Sequence, residues 1–400
     1  MGEFCRRFWT PVLLSEELPE PDCPPVQTKI YGEELVAFRT TSGKVGLLKE
    51  FCPHRRASLF YGRNEEEGLR CAYHGWKFDT EGHCVDMMSE PEDSNFANKV
   101  ETTAYPTQEG GGFVWAYMGP LELKPPMPDL EYLKVPENQR STRKVQYESN
   151  FVQVIEGEID TVHASILHSR LDALEKSSTA TTAGGRYSYR DRAARFHVED
   201  TDGGILIGAK RNAEEDSSYW RISRWLFPWI TMIPREPKGP ARSGLIVPID
   251  DENCWFFLVR WDPYKPLEGE YTEAPRDGMI PGTWLGQANK SNHYMIDRQV
   301  QKTETFSGIP DRMGRAQDAA MTDSMGAIVD RTEEHLGTTD AAIIRMRRRL
   351  IQGANDLREG IEPYAASHPE VFKVRSGGAV LPRDVHFKDD AEVWDDITVK

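Results

Sequence analysis

Cys52-Pro53-His54 and Cys71-Ala72-Tyr73-His74, with sixteen residues between them, are the stretch that decides the fold. Each pair sets a thiol and an imidazole side by side on what reads as a loop tip. Brought together, the two loops offer a Cys₂His₂ set to a metal centre. Thiolates are soft ligands that suit zinc or iron–sulfur clusters, and imidazole suits either. A zinc finger takes both cysteines from one short unit and both histidines from another. Here every unit supplies one of each. The chain has six cysteines, Cys5, Cys23, Cys52, Cys71, Cys84 and Cys254, and no secretory signal, which makes a disulfide framework a poor reading.

A [2Fe–2S] cluster with both cysteines on one iron and both histidines on the other needs that mixed arrangement. The pattern resembles the Rieske family at all four ligand positions, Cys52, His54, Cys71 and His74. Neutral histidines in place of two thiolates remove negative charge and raise the potential, so the centre reads as an electron relay. A structural zinc site is the plain alternative. Tyr73, Gly75 and Trp76 are expected to shield the cluster, although ordinary core aromatics would look the same. His83 and Cys84 read as core or surface residues, because the ligand set is already complete.

Outward from these loops, residues 10–120 carry short apolar runs broken by turns, such as 34–38 and 45–48 around Ser42-Gly43, with no sustained 3.6-residue period. Lys124-Pro125-Pro126-Met127-Pro128 marks the exit, since prolines there continue neither strand nor helix. Phe151, Val154, Ile155 and Ile159 then fall at helical spacing and predict a helix over about 150–160. Strand character returns over 185–262. Near the end Gly337 stops one helix, Thr338 or Thr339 can cap the next, and Ile343, Met346, Leu350 and Leu357 form its apolar stripe. The polar tail after Gly378 is given no structure. The expected fold class is α+β: an all-β domain over 1–125, then a larger helix-grip domain over 126–400 with a twisted antiparallel sheet against helices.

The net charge of −15 argues against nucleic acid or an anionic membrane as partner. No apolar run reaches the roughly 18–20 residues that span a bilayer, and the expected location is the cytoplasm. Met1-Gly2 followed by Arg6, Arg7 and Trp9 resembles a segment that lies inside the chain of relatives, so the start is expected to be late.

Asp160-Thr161-Val162-His163 and, after four more residues, His168 form a second constellation. Two histidines and a carboxylate bind Fe(II) on one face and leave the opposite positions open. Histidines five apart on an ideal helix diverge by about 140°. They can share a metal only if the helix breaks between them, and a break is predicted over 164–167. Two satisfied histidines near a helix end would be the bland alternative.

Together the two constellations resemble the α (oxygenase) subunits of Rieske non-haem iron aromatic-ring-hydroxylating oxygenases, most of all the phthalate 4,5-dioxygenase group. The matching stretches are 52–56, 68–78, 156–169, 247–253 and 308–340. The resemblance implies a mononuclear Fe(II) held by His163, His168 and an aspartate in the segment Gln317-Asp318, with Asp323 and Asp311 as weaker choices. It implies that Asp160 bridges a cluster histidine of one subunit and an iron-ligating histidine of its neighbour, and therefore trimers or stacked trimers. It also implies electrons from NAD(P)H through a separate flavin and iron–sulfur reductase, and O₂ as co-substrate.

The implied reaction is ring dihydroxylation of a phthalate-type aromatic carboxylate. O-demethylation of a methoxylated aromatic acid by a Rieske monooxygenase is the alternative. A carboxylated substrate needs cations near the iron. Lys210 and Arg211 fall where the resemblance places them, with Arg221 and Arg224 as further candidates. For each of these a surface ion pair, with Glu214, Glu215 or Asp216 close by, competes. Asn150 and Gln153 are candidates for orienting the iron site, against capping and surface roles.

Overall fold

The computed structural model describes residues 2–91, 93–269, 278–310 and 315–399. The chain divides into two compact units, Met1–Pro125 and Pro126–Lys400. Asp311 lies outside the described residues.

Among the described residues the first unit is built from ten short antiparallel strands: β1 (Thr10–Leu14), β2 (Val26–Ile30), β3 (Glu33–Arg39), β4 (Val45–Lys49), β5 (Arg63–Glu65), β6 (Gly68–Arg70), β7 (Trp76–Phe78), β8 (Cys84–Met87), β9 (Thr107–Gly110) and β10 (Phe113–Ala116). They pair as three small sheets, ordered β1-β10-β9, β2-β3-β4 and β5-β6-β7-β8. Val36, Phe38, Leu48, Leu59, Leu69, Trp76 and Phe78 form one core cluster, and Cys52, Cys71 and Cys84 are packed into it. Each fully buried side chain of this size contributes roughly 1.5–3 kcal/mol. The Phe38 ring of β3 lies across its β4 partner, residue 46, because that residue is glycine. A Cβ there would stand 2.5 Å from the Phe38 ring.

In the second unit, one antiparallel sheet runs in the order β11 (Arg140–Tyr147), β17 (Cys254–Trp261), β16 (Ala241–Pro248), β15 (Ile230–Met232), β14 (Ser217–Leu226), β13 (Gly204–Asn212) and β12 (Arg195–Thr201). β14 is longer than β15, which pairs only with its residues 224–226. β18 (Gly377–Pro382) takes the remaining edge, residues 217–222. The helix Phe151–Ile159 packs on β14, β15 and β16, the helix Ala341–Arg358 lies on β12 and β13, and the helix Ala316–Ser324 packs on Phe151–Ile159. The α+β architecture read from the sequence is the one observed. No helix among the described residues is long and apolar enough to cross a membrane.

Three local expectations need correction. The tail after Gly378 is ordered: it supplies β18, the short helix Ala391–Asp396 capped by Asp390, and the buried Phe387 and Ile397. Gly377 serves the packing of this tail, since a Cβ there would meet Ile397 Cγ2 at 2.6 Å. Residues 183–190 form a helix where strand was expected, with the Thr182 side chain accepting from the Gly185 amide. The break near the histidines comes earlier than 164–167. The helix Phe151–Ile159 ends at Asp160, whose backbone is extended (φ −73°, ψ 107°) and whose Oδ1 accepts from the Val162 amide at 2.7 Å. The carboxylate thus replaces the helical acceptor, and a 3₁₀ turn over His163–Ser165 follows.

Candidate metal centres

The two loops of the first unit share one hydrogen-bond pattern. Cys52 N donates to Ala57 O (2.9 Å) and Arg56 N to Cys52 O (2.9 Å), while Cys71 N donates to Trp76 O (2.8 Å) and Gly75 N to Cys71 O (3.0 Å). The fifth residue of each, Arg56 or Gly75, has positive φ (63° and 74°), which closes the turn. The His54 and His74 rings lie 4.4 Å apart, centroid to centroid, and Trp76 stacks on His54 at 4.4 Å and 10°. Burial pushes the Cys52 thiol up to about 12, and the Cys71 sulfur beside it adds to the rise. The thiolate is the metal-binding form, so a metal seated here must displace that proton. His54 Nδ1 is buried without a hydrogen-bond partner, an orphan that a metal bond would satisfy. Tyr73 is exposed while Trp76 is buried, so of the proposed shields Trp76 covers the site.

In the second unit, one ligand atom from each of His163, His168 and Asp318 falls in a group spanning no more than 4.8 Å. His163 comes from the 3₁₀ turn, His168 from the loop after it, and Asp318 from the first turn of Ala316–Ser324. Asp318 Oδ1 lies 3.0 Å from His168 Nε2 and 3.5 Å from His163 Nε2. Donors about 2.1 Å from an octahedral ion and at right angles stand about 3.0 Å apart, close to the distances from Asp318 Oδ1 to the two histidine nitrogens. The far ring nitrogens face acceptors. His168 Nδ1 is 2.6 Å from Gln317 Oε1, and His163 Nδ1 is 3.6 Å from Asp160 Oδ2. Gln317 is itself fixed, donating through Nε2 to Ile309 O at 2.8 Å.

The three groups are complementary in charge. Burial opposes the charge on Asp318, yet Arg315, His163 and His168 keep its carboxyl well below the usual range. Burial likewise opposes protonation of His163, but Asp160 and Asp318 override it and raise the imidazole to about 9. Asp323 does not join the triad: its Oδ2 accepts from Tyr294 Oη at 2.5 Å, and burial raises its pKa. Asn150 caps the helix Phe151–Ile159 and donates to Asp251 O. Gln153 is buried and ties that helix to the end of Ala316–Ser324, donating to Thr322 O and Gly326 O (3.0 Å each) and accepting from Val329 N.

A cavity of about 570 Å³ opens on His163, His168 and Asp318 and is lined by Arg143, Arg221, Arg242, Arg260 and Arg315. Lys210 and Arg211 do not line it. Lys210 Nζ donates to Arg383 O, and Arg211 is buried against Asp191 O and Thr161 O. Their place on β13, two strands from β15, turns them to other partners. Arg224, the other weaker candidate, is also elsewhere, bonded to Arg375 O and Ile397 O, while Arg221 does reach the cavity. Arg242 and Arg260 are directly opposite each other on β16 and β17. Burial, then the neighbouring Arg315, lowers Arg242 to about 10. The signal that could have found them is a lone arginine inside strands otherwise filled with apolar residues.

Comparison with known proteins places both sites in a family context. Residues 8–104 match the family described as the Rieske [2Fe-2S] domain, and residues 116–398 match that described as LigXa C-terminal domain like. The chain is 39% identical to the 3-chlorobenzoate-3,4-dioxygenase oxygenase subunit of Comamonas testosteroni, over 97% of this chain and 93% of that protein. It is 37% identical to the phthalate 4,5-dioxygenase oxygenase subunit of Pseudomonas putida, over 97% and 90%. Among solved structures, dicamba monooxygenase bound to dicamba shares the fold with a TM-score of 0.62, covering 90% of this chain and 99% of that one at 19% identity.

Proposed function

This chain belongs to the Rieske non-haem iron aromatic-ring-hydroxylating oxygenases, and from that we propose that it is the terminal oxygenase that dihydroxylates a phthalate-type aromatic carboxylate. Its cofactors are a Rieske [2Fe–2S] cluster and Fe(II), with O₂ as co-substrate. We assign the cluster to Cys52, His54, Cys71 and His74, and the iron to His163, His168 and Asp318. The two domains are 1–125 and 126–400.

The observation that carries the substrate class is the arginine-lined cavity beside the triad. Arg242 and Arg260 stand opposite each other on adjacent strands and both line the cavity. A carboxylate entering it would meet both through charge-assisted hydrogen bonds. Glu158, Asp160 and Asp318 supply the acidic groups in the same lining, fewer than the five arginines. A carboxylated ring seated there would present its carbon framework to the open side of the triad.

When bound, the iron supplies the activation of O₂ and the oxidation of the ring. The chain's own residues orient and shield. Gln317 accepts from His168 Nδ1–H and so leaves Nε2 as the free lone pair. Asp160 stands on the Nδ1 side of His163. We assign it as the carboxylate that also receives the cluster histidine of a neighbouring subunit in a trimer, a short path for electrons supplied by a separate NAD(P)H-dependent reductase.

The test is turnover with a surrogate reductase on phthalate isomers, chlorobenzoates and methoxybenzoates under ¹⁸O₂. A cis-dihydrodiol carrying label in both new hydroxyls supports the proposal. Formaldehyde and a phenol would show O-demethylation instead.

A further inference from the structure

Asp318 uses its two carboxylate oxygens differently. Oδ1 faces both histidine Nε2 atoms, whereas Oδ2 accepts from Arg315 Nη2 at 2.8 Å. Arg315 is in turn held by groups that owe nothing to Asp318. Its Nη2 also donates to Glu158 Oε1, its Nε donates to Tyr147 Oη at 3.0 Å, and its guanidinium lies 4.4 Å from the centroid of the Phe256 ring. Tyr147 and Phe256 are fully buried. Both carboxylates share Nη2 while Nε is given to the Tyr147 hydroxyl, a division fixed by the planar guanidinium that a lysine ammonium does not reproduce with the same geometry.

The backbone adds a second sign of constraint. Arg315 sits in the left-handed region (φ 61°, ψ 38°) just ahead of the helix Ala316–Ser324. A non-glycine residue holds that conformation where its surroundings over-determine it. Arg315 thus keeps three anchors, Glu158, Tyr147 and Phe256, that do not involve Asp318.

Resting on the iron assignment above, we propose that Arg315 is a positioning residue that occupies Asp318 Oδ2 and so restricts this aspartate to binding the iron through Oδ1 alone. A carboxylate can bind a metal through one oxygen or through both. With Oδ2 committed to a buried cation, its electron density is directed away from the iron, and a coordination position that chelation would fill stays open for substrate-side ligands. Glu158 and Tyr147 matter because they keep Arg315 from following the metal.

The test uses the full chain loaded with both centres. Arg315→Met removes the donor, and Arg315→Lys returns a charge near Oδ2. Near-infrared magnetic circular dichroism reads the Fe(II) coordination number, and the EPR signal of the nitric oxide adduct reads the ligand field. The reduced cluster signal reports whether the protein is intact. Expected are a changed ligand-field pattern and nitrosyl line shape in Arg315→Met, partial return in Arg315→Lys, and an unaltered cluster signal. Spectra of Arg315→Met that superimpose on those of the parent would overturn the proposal. If Arg315→Met does not fold, Arg315→Gln, which removes the guanidinium but keeps a polar side chain, decides by the same criterion. A parent protein that takes up no mononuclear iron at all would instead refute the iron assignment.

Discussion

Replacing Gln317 by leucine should weaken Fe(II) binding without touching the cluster. The side chain is buried and bonded at both ends: Oε1 to His168 Nδ1 at 2.6 Å and Nε2 to Ile309 O at 2.8 Å. Leucine fills the space but leaves the imidazole N–H and the carbonyl without partners. A buried polar group stripped of its partner costs about 1–3 kcal/mol, which corresponds to roughly 5–150-fold in an equilibrium constant. Loss of an outer hydrogen bond to a metal-bound histidine typically lowers metal affinity about 10–100-fold. The two estimates overlap, so a fall of about 10–100-fold in Fe(II) affinity is expected. Competition against a chelator of known affinity measures it, with cluster absorbance as the internal standard. Gln317→Glu, which keeps an acceptor on His168, should bind iron far better than Gln317→Leu. An affinity of Gln317→Leu within twofold of the parent would mean that Gln317 does not orient His168.

Arg242→Met should raise KM for a carboxylated substrate by roughly 10–150-fold, the equivalent of one charged hydrogen bond, with a smaller change in kcat; equal loss on a neutral substrate analogue would contradict an anion-binding role. Asp160→Asn should retain both metals and the cluster spectrum yet lose reductase-driven turnover, and rapid-mixing reduction of the iron after the cluster is the assay that separates electron transfer from binding. Gly46→Ala should destabilise the first unit by about 1–3 kcal/mol, because the Phe38 ring that its Cβ would strike is fully buried; denaturant unfolding followed through cluster absorbance checks this.

Both constellations were legible because each is local. Cys-x-His and Cys-x-x-His place thiol and imidazole within one turn, and Asp160, His163 and His168 sit within one loop. Asp318 lies 150 residues beyond His168, and only the family resemblance pointed to it. The substrate cavity was not legible. Arg143, Arg221, Arg242 and Arg260 come from β11, β14, β16 and β17, and only strand register brings them to one face. Lys210 and Arg211 looked as suitable in sequence, but β13 directs them to Arg383, Asp191 and Thr161. The early helix end at Asp160 was hidden for a different reason. Its cause is a side chain capturing the amide two residues on, a competition that periodicity does not register.

One polypeptide is proposed to carry both a cluster on two cysteines and two histidines and a separate iron on His163, His168 and Asp318. Iron and acid-labile sulfide counted on the purified parent and on His163→Ala test it most directly. A [2Fe–2S] cluster plus one mononuclear iron gives about three irons to two sulfides per chain in the parent and about two to two in His163→Ala. Equal iron and sulfide in the fully loaded parent, or zinc in place of sulfide-bound iron, would contradict it.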